Sequence, residues 1–167
     1  ADTGGGENFL CTFSGWLERP QDPLSIEFLM LSPKDRNIWE IFVDSNGKRF
    51  MQEDHPSIEY REHALMKQPE MRMNIIFDDK IIQNATPISL LDFDKYKSKF
   101  GNHDNFVKAD TIEQLAEKIN VPFENLLSTI ENYNLAVENQ IDHEWNKFFL
   151  IRKIEIPPFY AIKSNGF

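Results

Sequence analysis

The chain reads as an α+β domain: a small, mostly antiparallel sheet with packed helices, two of them forming an αα-hairpin. Three observations predict this. Strand-like runs gather before residue 80 and helical periodicity after residue 110, and elements in segregated runs argue against an alternating parallel fold. Asn46-Gly47 separates two apolar runs, the strongest short-range hairpin signal, because both residues tolerate the positive φ of a type I′ turn. Ile112, Leu115, Ala116 and Ile119 then repeat at helical spacing, and after Pro122 a second stripe follows. At 167 residues, one domain with a real core is expected.

Residues 7–33 are ambiguous: Phe9, Leu10, Phe13, Trp16 and Leu17 suggest a helical face, which Pro20 and Pro23 break. Residues 25–31 alternate as a short strand. Residues 38–43 and 48–51 form the hairpin. Pro56 opens a helix to about Lys67, with Ile58, His63, Ala64 and Leu65 facing inward. Gln68-Pro69 ends it. A strand is expected at 71–77, a short helix at 79–84 and another at 90–100. Asp110-Thr111-Ile112-Glu113 offers an N-cap with Glu at the third helical position. That helix ends near Asn120, and the next buries Phe123, Leu126, Leu127, Ile130, Tyr133 and Val137. Such a pair is stable only when packed on the sheet. Residues 148–151 and 159–162 are late strands.

Hydrophobic residues make up 41% and aromatics 13%, the composition of a folded chain. The net charge of −9 argues against nucleic acid or an anionic membrane as partner, since both require a basic surface. The single cysteine, Cys11, excludes an internal disulfide framework and a cysteine-based metal site. The four histidines lack paired metal-ligand spacing, so no metal is expected. No apolar run approaches the roughly 18 residues that span a bilayer, and a soluble, cytoplasmic protein is expected. Dinucleotide, phosphate-loop and nucleophile-elbow fingerprints are all absent from the sequence. As an independent enzyme the chain lacks the parts it would need.

The run Phe42-Val43-Asp44-Ser45-Asn46-Gly47-Lys48-Arg49-Phe50-Met51-Gln52-Glu53, followed by a helix with an arginine, by Gln68-Pro69 and by Ile76-Phe77-Asp78, resembles a family signature. It is similar to the mobile capping domain of FAD-dependent fumarate reductases, succinate dehydrogenases and ketosteroid dehydrogenases. Residues 109–134 are also family-like, with Asn120 where the family generally has Gly. Asn is the common substitute at a left-handed helix cap. The first forty residues match poorly.

The resemblance implies an α+β flavoprotein cap domain over residues 7–163, flanked by boundary remnants at 1–6 and 164–167. Thr3-Gly4-Gly5-Gly6 looks like the turn of the FAD domain before the chain crosses into the cap, so Thr3 and Gly4 are its cofactor-binding candidates. Pro157-Pro158-Phe159-Tyr160-Ala161 looks like the strand that closes the cap. An excised cap is therefore expected, engineered or proteolytic, with FAD in the parent and none bound to this chain. Its partners would be the FAD-binding domain of the same polypeptide and a small organic substrate. An apolar face left by excision would favour weak self-association.

In the fumarate reductase branch, an arginine of the cap delivers the proton while hydride passes from the flavin. Here that residue would be Arg61, although it lies downstream of the family's position, which Ser57 more nearly occupies. Arg61 is the catalytic candidate, and its alternative is a solvated helical arginine pairing with Glu59 or Glu62. Arg49 and Glu53 are cleft-lining candidates with a local structural ion pair as alternative, and His55 and Ser57 complete the set. All are expected to converge on one rim. The competing function is a stand-alone, non-catalytic α+β interaction module, which composition alone allows.

Overall fold

The computed structural model describes residues 38–80 and 98–165. Thr3, Gly4, Cys11, the boundary segment 1–6, residues 166–167 of the boundary segment 164–167, the elements expected at 7–33, residues 81–84 of the helix expected at 79–84, and most of the helix expected at 90–100 lie outside the described residues.

Four strands form one antiparallel sheet in the order β1-β2-β4-β3. They are β1 (Ile41–Val43), β2 (Arg72–Asp78), β3 (Phe106–Ala109) and β4 (Phe159–Asn165). Phe42 pairs with Ile75 and Ile75 with Ile162, and Ile162 in turn faces Phe106. One transverse row therefore carries apolar residues from every strand. Among the described residues the α-helices are α1 (Ile58–Met66), α2 (Ile112–Ile119) and α3 (Phe123–Asn139). The α+β class and the αα-hairpin are as the sequence predicts.

The hairpin turn differs from expectation. Gly47 N–H closes on Asp44 C=O at 3.0 Å and Asp44 N–H on Lys48 C=O at 2.8 Å. Among the turn residues only Gly47 has positive φ (+75°). This is the longer loop in which one left-handed glycine ends the turn, not a type I′ turn. Asp44 Oδ1 accepts from Asn46 and Lys48 N–H at 2.8 and 3.0 Å, a local bond that selects this geometry. The returning strand shrinks to a single bridge between Val43 and Arg49.

Helix α1 starts two residues later than predicted. Ser57, not Pro56, takes the cap, its hydroxyl accepting from Tyr60 N–H at 3.3 Å. Ile58 and His63, expected inward, are exposed, whereas Arg61, Glu62 and Leu65 are buried. The α2 cap also slips one residue: Thr111 accepts from Gln114 N–H, and the Gln114 side chain accepts from Asp110 N–H. Asn120 closes α2 at φ 57°, in the left-handed region. Along α3, Leu126, Ile130, Tyr133 and Val137 are buried as predicted, while Phe123 stays 36% exposed. The strand expected at 148–151 does not form, and β3 was not foreseen.

Candidate functional site

The hairpin delivers Arg49 and Glu53 to the interior. Arg49 donates through Nε to Glu53 Oε2 at 2.9 Å and through Nη2 to Oε1 at 2.7 Å. The same Nη2 reaches Asp142 Oδ2 at 2.8 Å, across the chain. Glu53 is fully buried and also accepts from Phe42 N–H at 3.2 Å. Burial alone would lower the Arg49 pKa, but Glu53 and Asp142 hold it above the ordinary guanidinium value. For Asp142, burial opposes ionisation, and Arg49 with the Lys147 and Trp145 N–H groups overcomes this and lowers its pKa.

Lys147 and Tyr133 complete the cluster. Lys147 Nζ donates to Ile38 C=O and to Phe149 C=O. Tyr133 Oη donates to Trp39 C=O at 3.2 Å, and both Arg49 and Lys147 lie 5.4 Å from its ring centroid. Burial lowers the Lys147 pKa against the neighbouring carboxylates. This network joins the hairpin, α3 and the segment after it. Sequence reading named two of its members, Arg49 and Glu53. Asp142 and Lys147 carried no signal, because their partners are remote along the chain.

The second group lies on the α1 side. His55 Nδ1 accepts from Ser57 N–H at 3.0 Å, and its ring stacks on Tyr60 with centroids 4.0 Å apart. Tyr60 Oη in turn accepts from Gln52 N–H at 3.3 Å. His55, Ser57 and Tyr60 are half-buried and form the accessible edge. Arg61 lies behind them, 1% exposed, and is not a solvated helical arginine. Its pKa is pushed down to about 10 by burial, with Glu62 and Asp54 acting the other way. Arg49 and Glu53 thus face each other in the interior, His55 and Ser57 lie half-buried at the start of α1, and Arg61 is buried.

A cleft of about 760 Å³ opens on the Arg49 side, lined by Lys48, Arg49, Tyr133, Asp142, His143 and residues of α3; Glu53, His55, Ser57 and Arg61 do not line it. Among the described residues, no three His, Cys, Asp or Glu side chains cluster as metal ligands. No helix among them is long and apolar enough to cross a membrane. Their two glycines, Gly47 and Gly101, both sit in turns. They build no glycine-rich strand-to-helix turn of the kind that cradles a dinucleotide pyrophosphate.

No protein-family model matches the chain. The NADH:acrylate oxidoreductase of Vibrio harveyi is 35% identical over 72% of this chain, which spans 12% of that protein. The 3-oxosteroid 1-dehydrogenase of Mycolicibacterium smegmatis is 32% identical over 64% of the chain and 20% of the relative. The open conformation of a flavocytochrome c3 fumarate reductase shares the fold, with a TM-score of 0.68 and 24% identity, over 83% of this chain and 23% of that one. The chain is homologous to one segment of the fumarate reductase and 3-ketosteroid dehydrogenase flavoproteins. It spans about a fifth or less of the curated relatives' length.

Proposed function

We propose that this chain is the capping domain of an FAD-dependent, fumarate reductase-like oxidoreductase. It closes a small organic substrate against the flavin for hydride transfer to or from an activated carbon–carbon bond. The observation that carries this reading is the pattern of coverage. Sequence relatives named for reactions of acrylate and 3-oxosteroids match this chain over one domain-sized share of their length. The described residues, meanwhile, build no site for a dinucleotide. The hydride chemistry then belongs to the flavin-binding remainder of the polypeptide, and the cap supplies enclosure and polar groups.

Within this reading the working edge is the one formed by His55, Ser57 and Arg61. A guanidinium at pKa about 10 is a better proton donor than an ordinary arginine, whose pKa exceeds about 12. This supports Arg61 as the proton-delivering candidate. Arg49 and Glu53 brace the edge from behind, because their polar atoms are spent on each other, on Asp142 and on the Phe42 N–H.

The test is made on the product of the complete reading frame. It should bind FAD and reduce or desaturate an activated C–C bond. In that protein Arg61→Lys should cut turnover by well over about tenfold, because an ammonium does not reproduce a planar donor fork. A reading frame that encodes no flavin-binding portion would instead establish the stand-alone module. Near-normal turnover of Arg61→Lys would remove the residue's role while leaving the cap reading in place.

A further inference from the structure

Residues 147–156 run between the end of α3 and β4 without regular structure, yet side chains fasten them along their length. Asp54 Oδ2 accepts from both Phe148 and Phe149 N–H at 2.8 Å. Asp78 Oδ2 accepts from Glu155 and Ile156 N–H at 3.0 and 2.9 Å. Both aspartates are buried. Between these two clamps, Gln140 Nε2 donates to Leu150 C=O. Asn134 brackets Ile154, accepting from its N–H at 2.8 Å and donating to its C=O at 3.0 Å. Lys147 Nζ holds Phe149 C=O at 2.9 Å.

This strap turns Leu150 and Ile154 inward, where both are buried, and leaves Phe148 at 66% and Ile151 at 46% exposure. Single exposed apolar residues are ordinary on a protein surface. An aromatic is different when its own N–H and that of the next residue are both held by a buried carboxylate, because such an anchor loses little freedom on docking. The start of the strap is fastened to Asp54, the chain neighbour of His55, and so lies next to the segment that opens α1.

We propose that the outer side of this strap, led by Phe148 and Ile151, is the surface on which the domain docks against the flavin-binding remainder of its own polypeptide. This rests on the capping-domain reading. The occupant follows from two facts. Flavoprotein relatives contain at least four times as much chain beyond the shared segment. The strap is also tied through Asp54 to the segment carrying His55 and Ser57, which the capping-domain reading turns toward the flavin-binding portion. The partner's complementary feature is an apolar pocket that receives a phenyl ring.

Hydroxyl-radical footprinting of side chains tests this, comparing the 167-residue chain at high dilution with the flavin-loaded product of the complete reading frame. Phe148 and Ile151 should be labelled about fivefold or more slowly in the longer protein, because an interface core excludes water. Equal labelling in a protein that carries FAD overturns the docking surface and leaves the capping-domain reading standing. Absence of FAD from the longer protein overturns both. Labelling that falls with the concentration of the short chain, and no further in the long one, assigns the face to a second copy and overturns the proposal. Phe148→Ser leaves the N–H to Asp54 intact. In the long protein it should restore Ile151 labelling toward the free-chain rate, and unchanged protection of Ile151 would remove Phe148 as the anchor.

Discussion

Arg49 and Arg61 are both covered by the fold, and their surroundings act on their charge in opposite directions. The Arg49 cation is favoured by two carboxylates, and its pKa is raised. The Arg61 cation is disfavoured by burial, and its pKa falls to about 10. At neutral pH both are charged, so Arg49 stabilises the fold and Arg61 opposes it. Arg49→Met should therefore cost about 3–5 kcal/mol, because it strands Glu53 and Asp142 in the interior. Arg61→Met should leave stability within about 1 kcal/mol of the parent, or raise it. Urea unfolding of the two variants checks the contrast, and equal losses would refute it. A residue that the fold holds against its own interest is a reasonable place to look for function.

Asp142 supplies the pH dependence. Its pKa in the folded chain lies below the ordinary carboxylate value, so the unfolded chain protonates first as pH falls. Its contribution is complete above about pH 5, where the unfolded carboxyl is ionised, and is lost as pH falls through the lower folded pKa. Asp142→Asn should thus be less stable than the parent at neutral pH. That gap should close progressively below about pH 4 in acid titrations followed by circular dichroism. A gap that widens in acid would exclude this account.

At the scale of elements, the hairpin turn and the helix caps bear the local instructions. Gly47 has φ +75°, and a Cβ there would stand 3.2 Å from the Leu126 backbone nitrogen at the start of α3. Both the strain and the close approach oppose Gly47→Ala, which should cost about 1–2 kcal/mol for the left-handed backbone alone, with more from the contact. Thr129 donates to Gly47 C=O at 2.7 Å, so the turn is also the docking point of α3. Thr111→Ala should cost about 1 kcal/mol through the lost α2 cap. Thermal melts of both variants check the order, Gly47→Ala being the more damaging. The Asn120 cap was legible beforehand, and the α2 N-cap to within one residue, because caps depend on neighbours three or four residues away. Helix α1 was misread at its face, Ile58 exposed and Arg61 buried, because its stripe is short and tertiary packing overrode it. The strap at 148–151 resembles a strand in composition. It did not become one because its backbone groups bond to the side chains of Asp54, Lys147 and Gln140, the residue that caps α3, which no local pattern announces.

At the scale of the whole molecule, the carboxylate clamps tie the hairpin, the sheet, α3 and the strap into one unit. Unfolding in urea should accordingly be a single transition seen alike by fluorescence and circular dichroism. Two separated transitions would show independent parts. Titration calorimetry of the chain with FAD should give no sub-micromolar binding, because the described residues build no pyrophosphate cradle. Micromolar or weaker binding is compatible with a cap, and tight binding would overturn that expectation.

The α+β class, the αα-hairpin, the Asn120 cap and the pairing of Arg49 with Glu53 were all legible in the residues. Each depends on periodicity, capping or a contiguous motif, which act over a few positions. Tertiary structure alone decided that Asp142 lies against Arg49, 93 residues away, and that Asp54 and Asp78 hold the strap from 94 and 78 residues away. It also decided that Arg61 lies beneath the surface. A buried charge is bearable only where partners arrive from elsewhere in the chain, and which partners arrive is a property of the folded topology.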